Sequence, residues 1–274
     1  MNNIYYNEND TVLLIKTIQI QAIRVLFTTL KDILCDATIT FTSRGMKILH
    51  MDKNKTTLVN LYLYAEKFQI YKCTEEKIII CVNLTHLNKL INMSNDDVLT
   101  MYIDRESYNY GIVKELGLQY ENSKKKQIIS HQLRLLDPDT EEYNIPDLQY
   151  SSIINLPTND FQKIIRDLHG IGDHVEIKSV GNEFTFSLKG TYAKSYISRT
   201  SNDENMSFIQ KPDDSTVIQG IYSLKTLMNI TKCTQLCANL EIYLDNNLPL
   251  TIKYEVADLG EINLSVIPLL TNSL

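Results

Sequence analysis

The chain has 274 residues, 43% of them apolar and 22% charged, with a formal net charge of -6. About 118 apolar residues supply one large core or two ordinary ones, and with nine glycines and six prolines they exclude a disordered chain. The net acidity argues at first against a nucleic-acid partner, which normally shows as a basic excess.

Uncharged apolar runs stop at residues 78–82, far short of the ~20 that a membrane helix needs. Glu8 and Asp10 stand where a secretory leader has a basic start, so a cytosolic or nuclear protein without membrane contact is expected. The cysteines, Cys35, Cys73, Cys81, Cys233 and Cys237, are odd in number and irregular, which fits reduced thiols rather than a disulfide framework. Neither the CxxxC of Cys233 and Cys237 nor the spacing of His169 and His174 matches a zinc module, so no metal and no cofactor is expected.

Taken in chain order, alternation and β-branched content predict a strand at 12–18. A helix at 19–34 follows, striping Ile20, Ile23, Phe27, Leu30 and Leu34. Strands are predicted at 38–42, 47–51, 57–64, 68–71 and 77–82, then a short helix at 84–93 behind Asn83 as N-cap. Strands at 98–103, 117–121 and 127–136 close the first half. The second half repeats the style, with a strand at 151–156, a helix at 159–169 stopped by Gly170 and Gly172, and strands at 175–179, 183–188, 192–200 and 215–222. A helix at 223–233 and strands at 239–244, 250–256 and 261–267 end the chain. Turns are read in SRG at 43–45, SNDD at 94–97, VGNE at 180–183, DNN at 245–247 and ADLG at 257–260.

Helices one and three begin about 140 residues apart, and so do two and four, which predicts a duplicated unit. The boundaries expected are a first domain at 1–134, a linker at 135–150 carrying two prolines and five acids, and a second domain at 151–274. The face opposite each helical stripe is read as basic: Arg24 and Lys31, Lys89, Lys163 and Arg166, Lys225 and Lys232. Those seven bases stand against Asp32, Asp160 and Asp167, so the acidic total hides a basic subset of about +4. Any solvated helix face carries such residues. If the helices share one surface, however, they offer a basic track to a polyanion.

Stretches along the chain resemble one family. They are LKDIL at 30–34, HMDKNKTTLVNLYL at 50–63, FQIYKC at 68–73, VNLTHLNKL at 82–90 and LRLLDPD at 133–139. IPDLQYSSIINLPTNDFQKIIRDLHGIGD at 145–173, KGTYAKSYISRTSN at 189–202 and LPLTIKYEVADLGEINLSVIP at 248–268 continue the series. In this order they resemble the proliferating cell nuclear antigen family of DNA sliding clamps. The resemblance implies an α+β clamp fold: two topologically similar domains with inner helices and outer antiparallel sheets, three chains closing head to tail as a ring. It implies a processivity factor that encircles double-stranded DNA without reading sequence. The partners implied are DNA polymerase, the clamp loader and other peptide-motif clients, in the nucleus or at a viral replication site.

Carried over by resemblance, the DNA-facing positions are Arg24, Lys31, Lys89, Lys163, Arg166, Lys225 and Lys232. Asn92 and Val25 stand where further lysines fall in the family. The client-peptide pocket is expected at Met51, Lys55, Leu58, Tyr143, Ile145, Leu148, Pro249 and Pro268, with Tyr143 and Ser265 departing from the usual leucine and tyrosine. The subunit interface is expected to pair an edge strand holding Ile128, His131 and Arg134 with one holding Lys194, Tyr196 and Ser198. Gly181 in VGNE removes the modifiable lysine of that loop. No nucleophile elbow, P-loop, HExxH or paired CxxC occurs, and Asp137, Asp139, Glu141 and Glu142 read as a solvated linker, so no enzymatic activity is expected. A clamp-derived monomeric scaffold that does not encircle DNA is the alternative.

Overall fold

Alternating side chains build the sheets and 3.6-residue periods build the helices, and each strand and helix expected from the sequence is present in the computed structural model. The structure describes residues 10–93, 98–109, 111–137, 143, 145–146, 148–201 and 205–269. The SNDD turn at 94–97, residues 1–9, and Asp139, Glu141 and Glu142 of the linker lie outside the described residues. By compactness the chain divides into Met1–His50 with Asn60–Tyr143 and Val256–Glu261, and Met51–Val59 with Asn144–Glu255 and Ile262–Leu274.

The first half runs β1 (Thr11–Thr17), α1 (Ile20–Ile33), β2 (Asp36–Thr42), β3 (Gly45–Met51), β4 (Thr57–Tyr64), β5 (Ile70–Cys73), β6 (Ile78–Asn83), α2 (Leu84–Asn92) and β7 (Val98–Asp104). A short ribbon of β8 (Tyr108–Asn109) and β9 (Ile112–Val113) precedes β10 (Glu115–Asn122) and β11 (Gln127–Arg134). Its strands pair in the orders β11-β10-β7-β1-β5 and β4-β3-β2-β6. The second half runs β12 (Ser152–Pro157), α3 (Thr158–His169), β13 (His174–Val180), β14 (Glu183–Lys189), β15 (Lys194–Thr200), β16 (Ser207–Gln210), β17 (Val217–Ser223), α4 (Leu224–Ile230), β18 (Asn239–Leu244), β19 (Leu250–Val256) and β20 (Gly260–Val266). Its orders are β20-β19-β18-β12-β16 and β15-β14-β13-β17.

Strand for strand these are the same two sheets, so the duplication read from helix spacing extends to topology. Only the β8–β9 ribbon has no counterpart. The helices start 138 and 140 residues apart, α1 against α3 and α2 against α4.

One face of every sheet is apolar and buried: the burial of β2 and β4 alternates residue by residue, as does that of β12. The helices cover that face. In the second unit Phe161 of α3 lies 6.3 Å from Phe186 of β14, which in turn stacks edge-on to Phe184 at 4.9 Å. Each unit also fits a tyrosine ring over a glycine. A Cβ on Gly117 would fall 2.3 Å from the Tyr102 ring, and one on Gly220 would fall 2.3 Å from the Tyr222 hydroxyl. Any side chain at these glycines displaces a buried ring.

Tyr222 and Tyr254 are fully buried, and their hydroxyls have no hydrogen-bond partner among the described residues. Burial pushes both phenols well above their ordinary value, so the folded chain holds protons that the unfolded chain releases above about pH 10. Stability is therefore expected to fall as pH rises past ~10, by up to about 1.4 kcal/mol per pH unit for each phenol. Urea unfolding of the wild-type chain and of Tyr254→Phe across that range checks this: the variant should lose stability with the shallower slope.

Candidate functional site

Position on the helical stripe divides the bases expected on the four helices. Arg24 stands four residues after Ile20 and three before Phe27, which is on the apolar stripe itself. It is accordingly buried, and its Nε donates to the Ile91 carbonyl at the end of α2 at 3.3 Å. The expectation that Arg24 faces solvent is corrected: the charge is held against α2. Lys31 occupies the next turn of the same stripe and is half-buried, its Nζ 2.8 Å from Asp32 Oδ1.

The remaining five, Lys89, Lys163, Arg166, Lys225 and Lys232, lie off their stripes and are exposed. Arg166 makes only a loose contact with Asp167 at 3.9 Å, and Lys232 Nζ reaches Asn229 Oδ1 at 3.3 Å. An exposed pair of that length contributes little, so the Arg166 charge stays available to an external anion.

Local chemistry fixes the helices that carry them. Asn83 caps α2 by accepting the His86 N–H at 3.0 Å, and its own amide donates to Asp36 Oδ1 at 2.7 Å. Ser223 caps α4 by accepting from Thr226 N. α3 has no side-chain N-cap; Thr158 Oγ1 instead bonds the carbonyls of Cys237 at 2.9 Å and Ala238 at 3.1 Å. Asp160 in its first turn pairs with Arg199 of β15 at 3.1 Å. Gln162, the counterpart of Arg24 at 138 residues' distance, donates to Thr231 O at 3.1 Å, just past α4. A donor at the same place thus ties the helix pair in each unit, and in the first unit Thr28 Oγ1 also donates to Asn88 Oδ1 at 2.9 Å.

Two strands carrying expected interface residues are sheet edges, β11 in one unit and β15 in the other. On β11, Ile128 and His131 are half-buried and Arg134 is exposed, with the His131 ring 6.0 Å from Tyr120. On β15, Lys194, Tyr196 and Ser198 alternate outward. The Tyr196 hydroxyl donates to Glu183 Oε1 at 3.0 Å, and Ser198 Oγ donates to the same oxygen. Those two donors hold the Glu183 carboxyl below its ordinary range. A surface hollow of about 780 Å³ beside β15 includes Lys194, Tyr196, His174 and Glu176; His174 drew notice in the sequence only for its spacing from His169, and nothing there distinguishes Glu176 from other polar strand residues.

At the expected peptide pocket, Met51, Leu58, Ile145, Leu148, Pro249 and Pro268 are all half-buried, and none belongs to the core. All six fall in the second unit, while Tyr143 falls in the first, its ring edge-on to His50 at 6.0 Å. Lys55 is exposed at a left-handed φ of 55°. Asp52 organises that loop. Its Oδ1 accepts the N–H groups of Thr56 and Thr57 at 2.6 Å, and its Oδ2 accepts the Thr56 hydroxyl at 3.0 Å. The loop then reaches the C-terminal segment through Ile267 N–H to Thr56 O at 3.0 Å. Ser265 bonds Thr251 at 2.7 Å, and Thr251 bonds Tyr150 at 2.8 Å. The Asx–Thr pattern of DKNKTT was the available signal for Asp52.

Residues 13–143 match the family model of the proliferating cell nuclear antigen N-terminal domain, and residues 144–269 match that of its C-terminal domain. The chain belongs to the proliferating cell nuclear antigen family. It is similar to the "Probable DNA polymerase sliding clamp 1" of Paramecium bursaria Chlorella virus 1, with 31% identity over 269 residues, 96% of this chain and all of that protein. It is also similar to the "Probable DNA polymerase sliding clamp" of Acanthamoeba polyphaga mimivirus, 30% identical over 226 residues, 82% of this chain and 47% of that one.

For this proliferating cell nuclear antigen family member, the buried Arg24 gives a direct test of the helix fastening. Arg24→Ala is expected to lower stability by about 1–3 kcal/mol, because it leaves the Ile91 carbonyl without its donor. Arg24→Gln, which copies Gln162, should recover most of that loss. Urea unfolding reads both, and duplex-DNA binding should keep its wild-type salt dependence in each.

Proposed function

We propose that the chain is a DNA sliding clamp: three copies close head to tail through β11 and β15, encircle duplex DNA without reading its sequence, and tether polymerase and other clients. The observation that carries this reading is the set of five exposed cations on helices of a chain with net charge -6. A tightly basic protein would stick to phosphate; a few separated ammonium and guanidinium groups give weak, salt-sensitive contact compatible with sliding. The two free strand edges support closure, since a heterologous contact repeated around an axis ends in a ring when its rotation closes. The names of the two viral relatives support the clamp role, and they favour a site of DNA replication in the nucleus or a viral factory.

On this reading the domains are 1–134 and 151–274 joined by 135–150, and the protein performs no chemistry of its own. The half-buried apolar set at Met51, Leu58, Ile145, Leu148, Pro249 and Pro268, with Tyr143 and Lys55 beside it in sequence or on its rim, takes the short aromatic-bearing motif of a client. The clamp loader is the remaining partner. Leu58→Asp and Ile145→Asp should each weaken binding of such a peptide at least ~10-fold by isothermal titration, since a charge would replace an apolar contact.

Light scattering on a dilution series is the first test of assembly. A mass near three times 31.6 kDa supports the ring, and a persistent monomer supports the scaffold that does not encircle DNA. For the inner face, replacing Lys163, Lys225 and Lys232 together by Gln should flatten the salt dependence of duplex binding by roughly 0.9 for each phosphate left without its cation, and should reduce polymerase stimulation. Unchanged stimulation and slope would sink the encirclement model.

A further inference from the structure

Three consecutive lysines, Lys124, Lys125 and Lys126, form the turn between β10 and β11, and all are exposed. Ion pairs among the described residues engage Lys16, Lys31, Arg166, Arg199 and Lys211, but none of these three. The chain has 33 acids against 27 lysines and arginines, so carboxylates are not scarce. The nearest one in the hairpin, Glu121, is held by Lys16 Nζ at 3.1 Å and by Gln119 Nε2 at 3.4 Å. Adjacent ammonium groups repel, and no contact in the described fold offsets that repulsion.

The turn is built to hold its lysines in place. The β10–β11 ladder runs without a register break from Glu115 opposite Arg134 to Asn122 opposite Gln127. Asn122 Oδ1 then accepts the Lys125 N–H at 2.9 Å, and Lys126 closes the turn at a left-handed φ of 50°. The three amines therefore project from a fixed base. Its place in the first unit is also fixed. Tyr120 donates its hydroxyl to Leu90 O at 3.2 Å, in the last turn of α2. β10 ends two residues further on, roughly 7 Å at the rise of a strand, and the turn follows. The turn and the exposed Lys89 are thus carried by elements joined at the Tyr120 bond.

We propose that this lysine hairpin is a second phosphate contact, gripping the sugar–phosphate backbone of duplex DNA beyond the helices. The inference rests on the clamp reading and adds to it a site outside the inner helical face. Ammonium point charges on long stems suit phosphate and carry no base-reading geometry, so the contact is independent of sequence.

The test uses the full chain carrying Lys124→Gln, Lys125→Gln and Lys126→Asn, the asparagine tolerating the left-handed turn. Anisotropy of a labelled random-sequence linear duplex, titrated with potassium chloride, should show the slope of log K against log salt reduced by roughly two to three units. The solution mass should be unchanged. Lys124→Glu alone, which leaves the turn backbone as it is, should lower the slope in the same direction should the triple variant fold poorly. The comparison is the Lys163, Lys225 and Lys232 to Gln variant. If that variant lowers the slope while both hairpin variants keep it, the hairpin contact is overturned and the clamp reading stands. If none lowers it, both fall together. If the hairpin variants keep the DNA slope but lose binding to polyglutamate, the proposal is overturned in favour of an acidic protein partner.

Discussion

A side-chain hydrogen bond from the second turn of one helix to the carbonyl end of another ties the helix pair in each half of this chain. Arg24 makes it to Ile91 and Gln162 makes it to Thr231. The carbonyls at a helix end lack intrahelical partners and carry partial negative charge, so a buried donor there satisfies two needs at once. The bond helps to hold the second helix of each pair on the first, and in the first half Thr28 Oγ1 adds a bond to Asn88 Oδ1 at 2.9 Å. That in turn decides which residues are left outside the apolar stripe and free to carry charge. In one half the donor is cationic and in the other neutral, so the fold requires an N–H at this place rather than a charge.

The exposed bases are consequently uneven between halves. α3 and the α4 segment present Lys163, Arg166, Lys225 and Lys232, while α1 and α2 present Lys89 and the half-neutralised Lys31. On the helices, the exposed cations therefore lie mainly in the second half of the chain. Net charge is then a poor guide to partner: a protein with 33 acids can meet DNA provided the acids lie elsewhere, because fields at separations beyond about 8–10 Å are largely screened by salt.

Most of the fold was legible because sheets with one buried face write their alternation into the sequence, and the helices write their stripes. The duplication was legible for the same reason. The elements not read were β8, β9 and β16, which span two to four residues each and are too short to show a period. Arg24 was misjudged because residue class was allowed to outweigh position: steps of four and three from Ile20 to Phe27 place it on the apolar side. The pocket positions were read from a family likeness rather than from pattern. Half-burial on the sheet face away from the core leaves the same alternation as any strand, so Leu58 looks ordinary without that likeness. Asp52 carries no apolar signal at all; its role lies in three hydrogen bonds within a six-residue loop.

The edges β11 and β15 are open on the chain by itself. An unpaired strand accepts any extended chain, and β15 adds the outward Tyr196, 65% exposed. Its entrance is guarded by Lys194, which sits directly opposite Lys189 on β14. Two like charges across a ladder weaken that end of the strand and make stacking of indifferent neighbours unfavourable. The same two lysines therefore limit adhesion of the bare edge at that corner. Resistance to mispairing is in this way exercised by one pair of side chains.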